Sequence, residues 1–325
     1  MAYPYNLRLQ AVMVEEEVTY ATDPTPSTTT DGVRVVGNIW EGMSPESAFP
    51  NKREDVLSNN LIKVAPGLPA GRVMNLDFVV QAIGSGAAYS SATPVRPEMD
   101  ALMRACGMSR THVDTGSSES VSYALASESH SSCTIWAYAG GDLFKIVGCR
   151  GNFTWELTAG GLGQIRFQMS GMLSTAPAET AVASVTYDSV IPPATVNMGL
   201  AIVPSGGGSW TPHASSLVLT PGNSLARLDD VNAADGIEMF AITRQAPRFS
   251  MTCRKPDLSD YTLYARALSQ VLHTIDATLG SVQYNRVDID IDAAYLMSDP
   301  RLTGDQGLAA VELEYELLDM IVRFD

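Results

Sequence analysis

Cysteine is scarce in this chain and never clustered. Cys106, Cys133, Cys149 and Cys253 stand far apart with no C-x-x-C pair, which excludes zinc-ribbon and thioredoxin-type spacings and fits four small buried thiols in a reducing compartment. Histidine is equally uninformative. His112, His130, His213 and His273 belong to no HExxH, no EF-hand loop and no dinucleotide fingerprint, and the SESHSSC stretch around His130 has no G-x-S-x-G elbow. His112 and His130 lie in Ser/Thr-rich stretches and read as exposed, and His273 as a partly buried helix position. Charge is low: 18% of the residues, with 36 acidic against 21 basic side chains and a net −15. Such a balance repels phosphates, so a protein that grips nucleic acid along its backbone is disfavoured, although one that lets nucleic acid pass is not. No window approaches 18 apolar residues, so no spanning helix and no membrane anchor are expected. The start, MAYPYNLRLQ, lacks the charged head and apolar run of a signal peptide, so synthesis as a soluble cytoplasmic chain is expected.

What is present is strand. VDIDIDAAYL at 287–296 alternates aspartate with apolar residues, and VELEYEL at 311–317 does the same with glutamate. In a strand this puts Asp288, Asp290 and Asp292 on one face, roughly 7 Å apart, with Glu312, Glu314 and Glu316 arranged alike. A divalent cation needs ligands converging on a point, which a row does not supply. Like charges directly across a ladder destabilise it unless solvated or neutralised. The acidic face is therefore either an ordinary wet surface or the lining of a closed ring, and no cofactor or metal is called for.

The 26 glycines and 18 prolines divide the chain into an N-terminal arm and loop at 1–54, a first β-rich part with a short helix at 55–180, a linker and flexible loop at 181–210, and a second β-rich part with a helix and acidic closing strands at 211–325. TDPTPSTTTDG (22–32) has little to bury and reads as an extended arm. RPEMDALMRACG (96–107) reads as a short helix stopped by Gly107. Ala139-Gly140-Gly141-Asp142 fits a hairpin turn between two strands of an antiparallel meander. The Gly-rich loop at 205–209 lacks the lysine of a phosphate-binding loop. In DLSDYTLYARALSQVLHTIDATLG (257–280), Leu263, Ala267, Val271, Ile275 and Leu279 recur every four residues, which predicts a long helix. Both halves run strands, helix, strands, loop and strand, yet with no matched residue period. An enzyme acting through paired carboxylates has no specific support in so acidic a chain. A carbohydrate-binding reading would rest on Trp136, Trp155 and Trp210, of which two sit on strands and read as core.

Four stretches carry a family likeness: EEEVTYATDPTPSTTTDGVRV (15–35), EMDALMRACG (98–107), LFKIVGCRGNFTWELTAGGLGQIRFQMSGMLSTAP (143–177) and DIDIDAAYLMSDPRLTGDQGLAAVELEYEL (288–317). Together they resemble the major tail tube proteins of long, non-contractile-tailed bacteriophages (siphophages). Alanine stands at position 21, where that pattern has glycine. The resemblance implies a mostly β fold, a β-sandwich or barrel with a flanking helix, an extended N-terminal arm and long loops. It implies a structural, non-enzymatic virion protein whose subunits join into hexameric rings, or trimeric rings with pseudo-six-fold symmetry, and stack into a tube for DNA. Expected partners are further copies of the chain, the tape measure protein, the tail terminator and the distal tail protein, with DNA passing unbound. Tyr20, Asp23 and Pro24, and the 41–62 segment, become inter-ring candidates. Arg150, Asn152 and Trp155 become hairpin-core candidates, and the six alternating acids become lumen candidates. Another virion role (capsid, decoration, terminator or baseplate hub) is the alternative.

Overall fold

The computed structural model describes residues 6–49, 70–90, 95–114, 119–233, 235–257 and 261–325. From the N-terminus come β1 (Ala11–Glu16), β2 (Val35–Val36), the single turn α1 (Ile39–Gly42), β3 (Met43–Phe49), β4 (Ala70–Gln81), α2 (Asp100–Ala105), β5 (Met108–Val113), β6 (Ser120–Leu125), β7 (Cys133–Ala139), β8 (Asp142–Thr158), β9 (Gln164–Leu173) and β10 (Ala178–Glu179). The second half supplies β11 (Ala201–Pro204), β12 (Ala214–Thr220), β13 (Ser224–Asp229), β14 (Ile237–Arg244), β15 (Arg248–Arg254), α3 (Leu263–Ser269), β16 (Leu272–Leu279), β17 (Val287–Leu296), β18 (Arg301–Asp305), β19 (Leu308–Leu317) and β20 (Ile321–Phe324). The protein is mostly β, and β13 and β14 form a hairpin apart from the large antiparallel sheet. The expected β7–β8 hairpin is present, with Ala139 opposite Asp142 and positive φ at Gly140 and Gly141, the backbone that a two-residue hairpin turn requires.

The two halves share one strand order. In the first, ladders run β1–β7–β8–β9–β4–β3. In the second they run β11–β16–β17–β19–β15–β12. Even an irregularity is repeated. The step from Cys133 to Ile135 faces Cys149 to Ile146, and the step from His273 to Ile275 faces Ala294 to Ile291, so each hairpin carries one extra residue on its second strand. The short strand after each set, β10 or β20, pairs with the first part of β8 or β17. The insertions differ. β5 and β6 follow α2 only in the first half, whereas α3 leads directly into β16.

The halves are welded by β8 and β12. β8 is 17 residues long, so its first part pairs with β7 while its end, Trp155–Thr158, pairs with Leu219–Ser216 of β12. Apolar residues from both sides of this joint, including Trp155, Leu157, Leu217 and Leu219, belong to one continuous core with Phe78, Phe153 and Phe167. A second link runs through β20, which lies between β17 and β6.

One expectation is corrected. The long helix at 257–280 does not form: α3 ends at Ser269, Gln270 turns left-handed (φ 49°), and β16 follows. The four-residue recurrence misleads because four is two strand periods as well as about one helical turn. In β16 it is His273, Ile275, Ala277 and Leu279 that turn inward. Within the 1–54 segment, ahead of the 22–32 stretch, β1 pairs along its whole length with β7 and buries Ala11, Val12, Met13 and Val14. The stretch at 181–210 is irregular except for β11. Most of the 41–62 segment, from residue 50 onward, lies outside the described residues.

Candidate functional site: a wet sheet face with open edges

Eight strands form one uninterrupted run, β3–β4–β9–β8–β12–β15–β19–β18. Directly paired residues share a face, and the registers place the exposed residues together. Asp77 faces Gln168, Gln168 faces Asn152, Glu156 faces Val218, Val218 faces Ser250, and Ser250 faces Glu314. The opposite face carries the core. The run ends in strands paired on one side only: among the described residues β3 pairs with β4 alone and β18 with β19 alone.

The alternating acids do project from the wet side while Val287, Ile289, Ile291, Val311, Leu313 and Tyr315 are buried. They are not one bare row. Arg301 lies 3.4 Å from Glu312 and Arg248 2.9 Å from Glu314, each across a ladder, and Arg166 holds Asp77 at 2.5 Å. That contact pulls the Asp77 carboxyl below its ordinary range. Glu312, Glu314 and Glu316 sit inside the eight-strand run. The aspartates sit beyond it, because residues 287–290 of β17 are flanked by β16 and β20. Asp290 is 3.3 Å from Arg323 and Asp288 3.9 Å from Arg286. Asp290 also faces Asp276 directly across the ladder. Burial, then the charges of Asp290 and Asp292, push the Asp276 pKa up. Asp292 and Glu316 join no ion pair among the described residues. No group of three or more His, Cys, Asp or Glu among them is placed to hold a metal ion.

Arg150 and Asn152 lie on the wet side of β8, and Trp155 turns to the core side at the weld between the halves. The Asn152 side chain accepts from the Asn223 backbone N–H (3.1 Å), and Asn223 Nδ2 donates back to the carbonyls of Cys106 (2.6 Å) and Gly151 (2.9 Å). Arg150 donates to the carbonyls of His130, Ser131 and Phe240 and lies over the Tyr20 ring. Trp155 is fully buried.

Tyr20, Asp23 and Pro24 lie on the segment that follows β1. The Tyr20 hydroxyl donates to the Gly148 carbonyl (3.1 Å) and accepts from the Phe240 N–H (2.8 Å), and burial pushes its pKa up to about 12. Asp23 accepts from Trp136 Nε1 (3.1 Å) and pairs with Lys145 (3.3 Å). Pro24 is half-buried. The residue that sequence reasoning missed is Glu17. It is buried and accepts four hydrogen bonds, from the N–H groups of Ala21 and Gly148 and the hydroxyls of Ser132 and Thr134, at 2.6–2.8 Å. Three successive glutamates gave no sign of which one turns inward, because most of its partners lie over a hundred residues away. Gly148 is required beside it: its φ is +63°, and a Cβ there would lie 2.8 Å from the Tyr20 ring.

The chain matches the family model described as phage tail tube protein over residues 8–317. It belongs to the phage tail tube protein family. A search of curated proteins finds no match. The family makes this a structural protein of the virion tail that self-assembles into a tube with other tail proteins.

The tube protein's tryptophans, cysteines and histidines have structural surroundings among the described residues. Trp155 and Trp210 are core, the latter stacked on Tyr261 at 4.3 Å, and Trp136 lies under Lys145. All four cysteines are free and buried. His112 is on β5 rather than in a loop, and His273 is fully buried against the Tyr315 ring. No helix among the described residues is long and apolar enough to cross a membrane.

Proposed function

We propose that the eight-strand run is the tube wall, that it continues from chain to chain into a ring, and that its wet face lines the channel through which DNA passes. The observation that carries this reading is a single antiparallel run with one polar face and one core face, ended among the described residues by strands that each pair with one neighbouring strand. Each half contributes four strands in the same order, so three chains supply six sheet units. This favours the trimeric ring with pseudo-six-fold symmetry over a ring of six chains. Glu312, Glu314 and Glu316 face the lumen, with Asp288, Asp290 and Asp292 at its margin. The arginines on neighbouring strands temper the negative field, leaving a hydrophilic lining that phosphates neither bind nor strongly avoid. Tyr20 and Asp23 anchor the segment that presents Pro24 and its neighbours to the next ring. The tape measure protein, tail terminator and distal tail protein are the partners that the family resemblance implies.

Negative-stain electron microscopy over a concentration series tests the architecture. Hollow tubes or stacked rings with three-fold averages are expected, and closed shells would transfer the chain to a capsid role. Replacing Glu312, Glu314 and Glu316 together with lysine should leave tubes intact but slow DNA ejection, since each lysine adds a phosphate contact. Unchanged ejection would refute the lumen assignment.

A further inference from the structure

Cys133 on β7 and Cys149 on β8 are direct partners in the antiparallel ladder, and both side chains turn into the core, where neither is exposed. Opposed residues of such a ladder have Cα atoms about 4.5–5.5 Å apart, inside the range of about 4.4–6.8 Å that a disulfide spans. The two thiols are within hydrogen-bonding reach of each other. The other cysteines are placed differently. Cys106 donates to Met169 Sδ at 3.7 Å, and Cys253 lies on β15 in the second half. We propose that Cys133 and Cys149 are a modification site: they remain thiols while the chain is made and join as a disulfide in the virion, tying β7 to β8 beside the Gly148 bulge.

The surroundings explain why the pair is reduced first and oxidised later. Burial, and then Cys133 beside it, pushes the Cys149 thiol well up, so the closed subunit holds almost no thiolate, the form that attacks a disulfide. A protein of the virion tail passes from a reducing cell interior to an oxidising medium, and local opening of the β7–β8 hairpin there exposes the pair. The oxidant is a small-molecule disulfide such as oxidised glutathione. One cysteine loses its proton and attacks the small disulfide, expelling a thiolate. Its partner, deprotonated in turn, attacks the mixed disulfide and expels the second. Two protein thiols are oxidised to one disulfide, one small disulfide is reduced to two thiols, and the two protons pass to the expelled thiolates. Closure requires the sulfurs to draw together. β9 runs close to Cys149 at Gly171, where a Cβ would lie 2.5 Å from the Cys149 Sγ, so the glycine leaves that sulfur room to turn. Glu17 already holds the Gly148 N–H of the bulge, and the disulfide adds a covalent tie at the same place.

The proposal rests on the virion setting and not on the ring reading, and its test reads the sulfurs directly. Purified virions, alkylated and digested without reductant, should yield joined peptides that hold Cys133 and Cys149, with Cys106 and Cys253 alkylated. Chain alkylated at the moment of cell lysis should carry four free thiols. In vitro, the full-length chain is incubated with oxidised glutathione at a urea concentration below its unfolding transition, where the hairpin opens and the fold persists. Its mass should fall by two hydrogen atoms. The 15 residues between the pair, 134–148, make a loop whose closure restricts the unfolded chain, so oxidation should shift the folding equilibrium towards the folded state by roughly a hundredfold, read from the denaturation midpoint. Cys149→Ser should lose the mass change and the stabilisation together, whereas Cys106→Ser should keep both. Virions with four free thiols would overturn the proposal. So would a bridge from Cys133 to Cys106, which also lies near it, or a Cys133–Cys149 bridge that lowers the midpoint.

Discussion

The same sheet unit is finished differently at its two ends. In the first half, the connection from β1 to β3 is long and is tied down by Glu17, whose carboxylate gathers the Ala21 turn, the Ser132 and Thr134 hydroxyls and the Gly148 bulge. In the second half, the connection from β11 to β12 is short and glycine-rich, and Trp210 stacked on Tyr261 does the anchoring. The shared bulge differs as well: Cys133 faces Cys149 in the first half, and His273 faces Ala294 in the second. One strand order thus tolerates a polar or an apolar fastening of its loops. The fastenings, not the ladders, set what each half is sensitive to.

The largest expected effect breaks the first fastening. Glu17→Ala strands several buried donors at once and should lower stability by about 3–4 kcal/mol, read by urea denaturation with the arm's release followed by limited proteolysis after Thr22. A loss under about 1 kcal/mol would show that the segment is held by packing alone.

A middling effect separates the bulges by pH. Burial depresses the His273 pKa below its ordinary value, so the unfolded chain binds the proton more readily than the folded one. Its contribution is fully present above the ordinary histidine pKa of about 6.5 and is lost as pH falls from there towards the depressed folded value. His273→Phe should remove that slope as pH falls below the ordinary histidine value of about 6.5. Identical slopes in the two proteins would place the buried proton acceptor elsewhere. Raised carboxyls such as those of Glu98 and Asp276 act with the opposite sign at lower pH, so the difference between the two proteins is the quantity to read.

The smallest effect sharpens the comparison at the turn beside Glu17. Ala21 sits at φ 56° with its N–H on that carboxylate, a backbone that suits glycine. Ala21→Gly should therefore raise stability by up to about 1 kcal/mol, read as a shift of the denaturation midpoint. A loss would mean that the methyl group's packing outweighs the relief of strain.

Much of this was legible in residue order. Strand alternation placed the wet and buried faces of β17 and β19, and Gly140-Gly141 fixed the β7–β8 hairpin, because both signals are local. The glycine that the family pattern has at position 21 also had a local meaning, which the positive φ of Ala21 supplies. The strand β16 was misread as helix because its apolar spacing satisfies both periods. The weld was invisible for another reason. Asn152 and Asn223 acquire their role only when β8 and β12 lie side by side, and nothing within either stretch announces the other. The repeat was legible only as a coarse order of elements, since ladder order is conserved between the halves while loop lengths and side chains are not.

That repeat has a numerical consequence. A chain carrying two sheet units, permanently joined, contributes them only in even numbers, so an assembly of five or seven units is unavailable to it whatever the errors of association. It also frees the two units to drift apart in chemistry. The alternating glutamates belong to the second unit, and glutamine, serine and an arginine-bound aspartate to the first. Any surface tiled by this chain therefore carries its charge in alternating sectors, with the period of the chain rather than of the fold.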